Sequence, residues 1–164
     1  MLKALKALLG DSSGQDDRDG GAELRAAVAT LLAEMARMDS GVKPEELAAC
    51  RAALADLLRV PDAEAGELID TARGKSGRLT SYFGPVSAIN RAFSMAQRVR
   101  LIEHLWRVAY ADGDLDPYED HLVRKLSALL YVPHIDLMLG RQRARRTAPA
   151  ETTPVGSGTP PVPG

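Results

Sequence analysis

Leu105-Trp-Arg-Val-Ala-Tyr-Ala-Asp112-Gly-Asp-Leu-Asp116-Pro-Tyr-Glu119 joins two apolar-periodic segments through a short turn that carries Asp112, Asp114, Asp116 and Glu119. Asp116 is a strong N-cap residue, Pro117 suits the first helical position, and Glu119 falls at N3. Asp-x-x-Glu is therefore a capping box, with Glu119 reaching back to the backbone N–H of Asp116. Gly113 permits the left-handed turn that ends the entering helix. The unit is helix, tight loop, helix.

The segment entering the loop opens at a second capping box, Ser94-Met-Ala-Gln97, and is expected to run to about Ala111. It turns Val99, Ile102, Leu105, Trp106 and Ala109 inward, with Trp106 as the largest core anchor. The segment leaving the loop, Pro117 to Tyr131, carries Leu122, Leu126, Leu129 and Leu130 on one face. His104 and His121 lack a partner at metal-ligand spacing on their helices, so each is expected to be a surface or internally satisfied histidine.

Two readings of the loop carboxylates stand side by side. In one, Asp116 and Glu119 cap a helix, their charge suits its positive end, and the other acids are solvated turn residues. In the other, Asp112, Asp114 and Asp116 alternate around a glycine turn and converge on a hard cation. The spacing is not that of an EF-hand, which places Gly at about position 6 and a bidentate Glu at about position 12. Counted from Asp112, Gly113 comes second and Glu119 eighth.

The chain repeats this unit. Ala36-Arg-Met-Asp39-Ser-Gly-Val-Lys43-Pro-Glu-Glu46 aligns with Ala109 to Glu119 position for position, and Leu57-Leu-Arg-Val-Pro-Asp62 aligns with Leu129-Leu-Tyr-Val-Pro-His134 after a one-residue slip. Two such units are expected to pack about a pseudo-two-fold axis, bringing loops or helix pairs together. The copies differ at the acids: Asp39 and Glu46 are kept, but Gly41 and Lys43 replace Asp114 and Asp116. Lys43 is a poor N-cap and a positive charge where a cation would sit.

The 164 residues suffice for one domain with a real core. With 45% hydrophobic but 4% aromatic residues, aliphatic side chains and alanine must build it, and strand signals are weak. The expected class is all-α. A net charge of −1 gives no global attraction to nucleic acid or anionic membranes, and no apolar run is long enough to span a bilayer. The lone Cys50 excludes an internal disulfide framework and fits a reducing, cytoplasmic setting. It shares a face with Leu47, Leu54 and Leu57 and is expected to be a buried structural thiol.

Elsewhere, Met1 to Leu9 is read as a short Leu/Lys amphipathic helix, which either docks on its own domain or touches a membrane surface or partner. Gly10 to Gly21 reads as a flexible acidic linker, so residues 1–21 form a separate leader. Leu24, Val28, Leu31, Leu32 and Met35 mark a core helix over Glu23 to Met38, with Met35 and Met38 as filler. A second helix ends at Leu58, and Val60-Pro-Asp62 caps a third over about Ala63 to Arg73. Gly84-Pro85 is expected to break or kink a helix over Thr80 to Phe93. A last helix ends near Arg145, where Arg141, Arg143, Arg145 and Arg146 complement its C-terminus or form an anion-binding patch. Residues 147–164 read as a disordered Pro/Gly-rich tail.

Ile89 to Ser94, Arg100 to Asp120 and the duplicated Asp39 to Glu46 loop together resemble the TerB family of tellurite-resistance proteins. The resemblance spans about Ala22 to Arg145, and the domain it defines is taken as 22–146. It implies a compact bundle of about seven helices with an internal helix–loop–helix duplication. It further implies a bacterial, cytoplasmic or membrane-associated role, peripheral at the inner face, in tellurite resistance and wider stress response. The family's candidate metal-chelating positions map onto Asp39, Glu46, Asp112, Asp114, Asp116 and Glu119, with a divalent cation as cofactor.

Three functions follow. One is a non-enzymatic module that binds a divalent cation and scaffolds other stress-response proteins. Another is a pure interaction domain in which the acids only cap helices. The third is a metal-dependent hydrolase or reductase, which needs a general base and pocket that the sequence does not nominate. With no nucleophile–base pairing, the expected class is non-enzymatic.

Overall fold

The computed structural model describes residues 2–36, 41–75 and 79–149, with side chains from residue 18 onward. Within them lie seven helices and no strand: α1 (Leu2–Ala36), α2 (Pro44–Leu58), α3 (Asp62–Gly74), α4 (Phe83–Ala92), α5 (Met95–Ala109), α6 (Pro117–Leu129) and α7 (His134–Thr147). The aliphatic and alanine stripes read from the sequence meet in one core, in which Leu31, Leu32, Met35, Leu54, Leu101, Ile102, Leu105, Trp106 and Leu126 are fully buried. Trp106 is the largest of these, and its indole N–H donates to the Leu137 carbonyl at 3.0 Å. A buried aromatic with its polar edge satisfied loses nothing to desolvation.

The duplication is visible in the topology. Helices α1, α2 and α3 correspond to α5, α6 and α7, and α4 links the halves. Each leading helix, α1 or α5, packs on the two that follow it, and α1 and α5 touch each other. Across the halves α2 lies on α5, while α4 covers a face of α1. Two non-glycine residues among those described have positive φ, Arg59 and Tyr131, both at 56°. They occupy the same place in the repeat, each followed by Val-Pro and the next helix. The left-handed turn is thus a property of the duplicated unit and not of either side chain.

Several boundaries differ from the sequence reading. The backbone of α1 continues as one helix from Leu2 through the Gly/Ser-rich stretch, where a break at Gly10 is expected. Once the last ten residues, from Ala27 onward, are held by the core, each further turn adds hydrogen bonds without a new nucleation cost. Gly84-Pro85 does not kink α4, because the helix starts at Phe83 and Pro85 falls in the first turn, where its missing N–H breaks no bond. Pro61, not Asp62, is the N-cap of α3. Asp62 opens the helix and pairs with Arg51, accepting from Nε at 3.1 Å. Helices α5 and α6 end two residues earlier than expected, since Tyr110 and Leu130 already close the last turns through bonds to Trp106 and Leu126. Met38 and the tail from residue 150 lie outside the described residues.

Candidate cation-binding loop junction

The second loop is built from its own backbone demands. As α5 ends, the Gly113 N–H donates to the Tyr110 carbonyl at 2.9 Å, and Gly113 adopts φ 93°, which a side chain would strain. Asp112 Oδ1 then accepts the Asp114 N–H at 3.2 Å, an Asx turn. Asp116 caps α6 by accepting the Tyr118 N–H at 2.7 Å, and Glu119 Oε2 accepts the Asp116 N–H at 3.2 Å. The capping box read from the sequence is present.

The first loop repeats half of this. Glu46 Oε2 accepts the Lys43 N–H at 3.1 Å, the same reach-back bond at the equivalent helix start. Lys43 cannot return the favour, because an ammonium accepts nothing. Its side chain crosses to the other loop and pairs with Asp112 Oδ2. That ion pair, between residues 69 apart in the chain, joins the two loops.

The consequence is a concentration of carboxylates at the junction. Glu46 is 2% exposed and Glu119 is 4% exposed. Burial pushes the Glu119 carboxyl up to about 7; the Asp116 N–H bond opposes this, and the charges of Glu46, Asp112 and Asp116 add to it. Those three carboxylates lie close enough to be felt by Glu119, including one from the opposite half. Asp114 does not join them: it is exposed and lines a separate surface hollow with Arg141 and Arg145. Asp39 lies outside the described residues. Among the described residues no three carboxylate, imidazole or thiolate groups are arranged to share one metal ion. The set fits a cation only with Lys43 moved off Asp112, because the ammonium occupies the oxygen that the ion needs.

The neighbouring groups are settled in structural roles. Cys50, one turn beyond Glu46, is buried, donates to the Leu32 carbonyl at 3.5 Å, and has its thiol pushed up to about 12, first by burial and then by the Glu46 charge. His104 is satisfied by Asp56, with Nε2 at 2.7 Å from Oδ2. Burial holds its pKa below the ordinary imidazole value despite that carboxylate. Two of the C-terminal arginines are tied to neighbouring side chains: Arg141 donates to Tyr110 Oη at 3.0 Å and lies over the Trp106 ring, and Arg143 pairs with Glu103 at 2.9 Å. The cross-loop role of Lys43 escaped the sequence reading, although its charge opposite an acidic loop was the available signal.

A family model described as Tellurite resistance protein TerB matches residues 25–142, from within α1 to within α7. The chain belongs to the TerB family. Comparison with curated proteins and with solved structures gives no significant match. The TerB match begins after the N-terminal two thirds of α1 and takes in both loops with nearly all of the duplicated unit. No helix among the described residues is long and apolar enough to cross a membrane.

Proposed function

We propose that this TerB-family domain is a non-enzymatic module of tellurite resistance and stress response that binds a divalent cation at the loop junction and presents its helical surface to other stress-response proteins. The observation that supports the reading is the pair of buried N3 glutamates, Glu46 and Glu119, at equivalent helix starts of the two halves, with the charges of Glu46 and Asp112 both felt at Glu119. A hard cation prefers such oxygens. Glu46, Asp112 and Glu119 are the residues of the described chain that would hold it, with Asp116 alongside and Asp39 a further candidate. The ion would supply a charge bridge between the two halves, the role that Lys43 fills in its absence. Among the described residues, nothing at the junction pairs a nucleophile with a base, which supports a binding role.

The Lys43–Asp112 pair favours a second reading, an interaction domain in which lysine is the permanent counter-ion and the acids are caps. Calorimetric titration of the full chain with calcium, magnesium, manganese and zinc separates the two when run beside Lys43→Met and Asp112→Asn. The cation reading expects saturable binding that Lys43→Met tightens and Asp112→Asn weakens, each by about tenfold or more. Absence of binding in both the parent chain and Lys43→Met overturns it and leaves the interaction domain.

A further inference from the structure

A cavity of about 650 Å³, lined from α1, α4 and α6, shares no residue with the loop junction. The start of α4, the end of α6 and the last turn of α1 enclose it. Half of its lining residues are apolar or aromatic (Leu79, Tyr82, Phe83, Val86, Leu129 and Tyr131), and the other half are polar or charged, Glu34 and Lys125 included. That size is that of a small-molecule site, and the polar half of the lining offers groups to orient a ligand.

One group in it has no structural explanation. Glu34 lines the cavity, is 4% exposed, and makes no hydrogen bond or ion pair among the described residues. Every other buried acid of the described chain is tied down: Glu46 and Glu119 serve as helix caps. A carboxylate with no side-chain partner among the described residues, on the wall of a cavity, is a seat for a cation brought to it. Lys125, on the cavity wall, does not meet it; its ammonium sits 5.2 Å from the centre of the Tyr82 ring. Glu34 also lies in the last turn of α1, whose carbonyl end adds to the negative potential there. Around the mouth, Phe83 and Tyr131 stand 79% and 72% exposed, large apolar surfaces with nothing on them. Aromatic faces beside a carboxylate are a recurring way to hold an organic ammonium.

We infer that this cavity binds a small amphipathic organic amine, its ammonium seated on the Glu34 carboxylate and its apolar body held between Phe83, Leu129 and Tyr131. The site is independent of the loop junction, so either proposal can fail without the other.

Phenethylamine and its neutral counterpart 2-phenylethanol are the probes, titrated into the full chain and followed by two-dimensional NMR. The amine is expected to bind saturably with shifts at Val86, Phe83 and Leu129, at least about tenfold more tightly than the alcohol. Glu34→Gln, confirmed folded by its helical circular dichroism, is expected to abolish the preference for the amine. Phe83→Ala, at an exposed position, is expected to weaken both probes. If Glu34→Gln does not fold, the amine-to-alcohol ratio in the parent chain and the Phe83→Ala loss carry the test. Equal affinity for amine and alcohol, or a preference unchanged in folded Glu34→Gln, overturns the proposal. So does the absence of saturation by the amine when a lysine-bearing peptide does bind, which would make the cavity a protein-docking site.

Discussion

At the scale of single residues, Glu119 does two things that pull against each other. Its Oε2 closes the capping box at α6, which favours the charged form, while burial and three neighbouring carboxylates favour the neutral one. Burial dominates, and the carboxyl is pushed up from 4.5 to about 7. Between those values the folded chain holds a proton that the unfolded chain has lost. Stability therefore falls as pH rises through this window, and the full loss is present above about pH 7. Glutamine at 119 keeps an acceptor for the Asp116 N–H but cannot ionise. In chelator, urea unfolding of Glu119→Gln beside the parent chain is expected to show a gap in favour of the variant that widens from pH 5 to pH 8 by on the order of 1–3 kcal/mol. A gap independent of pH would mean that Glu119 is an ordinary solvated cap. The same titration gives the junction a pH signature, since a cation must displace the proton and its affinity should rise over the same range.

At the scale of elements, the helix starts are the most legible part of this chain. Ser94 and Gln97 exchange bonds of 3.3 and 2.8 Å, and Asp116, Pro117 and Glu119 take the N-cap, N1 and N3 places that their types favour. These signals are local, so adjacent residues suffice to read them. Helix ends were harder, because they depend on backbone conformations that side-chain type only hints at. Arg59 and Tyr131 show this: neither is a usual left-handed residue, and only the repeat alignment marks them as equivalent. A non-glycine residue held in that region costs about 1–2 kcal/mol, part of which glycine gives back as unfolded-state entropy. Arg59→Gly and Tyr131→Gly are each expected to stabilise the chain by about 0.5–1 kcal/mol in urea unfolding. Similar gains at both sites would confirm that the turn geometry belongs to the duplicated unit. A loss at either would show that its side chain contributes packing that outweighs the strain.

At the scale of the whole molecule, what the sequence did not disclose is which groups meet across the halves. The duplication implied that two loops or two helix pairs would face each other. It did not say that Lys43, the residue that breaks the acidic pattern of the first loop, would pair with Asp112 of the second. Nor did it say that Glu34 would have no side-chain partner among the described residues on the wall of a cavity lined from α1, α4 and α6. The cross-loop pair also bears on how the halves are coupled. Lys43 is 44% exposed, and an ion pair open to solvent on one side contributes at most about 1 kcal/mol. A double-mutant cycle on Lys43→Met and Asp112→Asn in chelator is expected to give a coupling energy of that size or less, shrinking in high salt. A divalent ion gripping carboxylates from both halves is a stronger clamp, because binding to the folded state alone stabilises it by about 2.7 kcal/mol at a hundred times Kd. Thermal unfolding with saturating cation should therefore raise the melting temperature of the parent chain and of Lys43→Met, and leave Glu46→Gln/Glu119→Gln unmoved. The decisive comparison is Lys43→Met. Lacking the internal ammonium, it should melt no higher than the parent in chelator yet gain more from the ion. If both gain equally, the lysine and the ion do not compete for Asp112, and the two halves are coupled through the core alone.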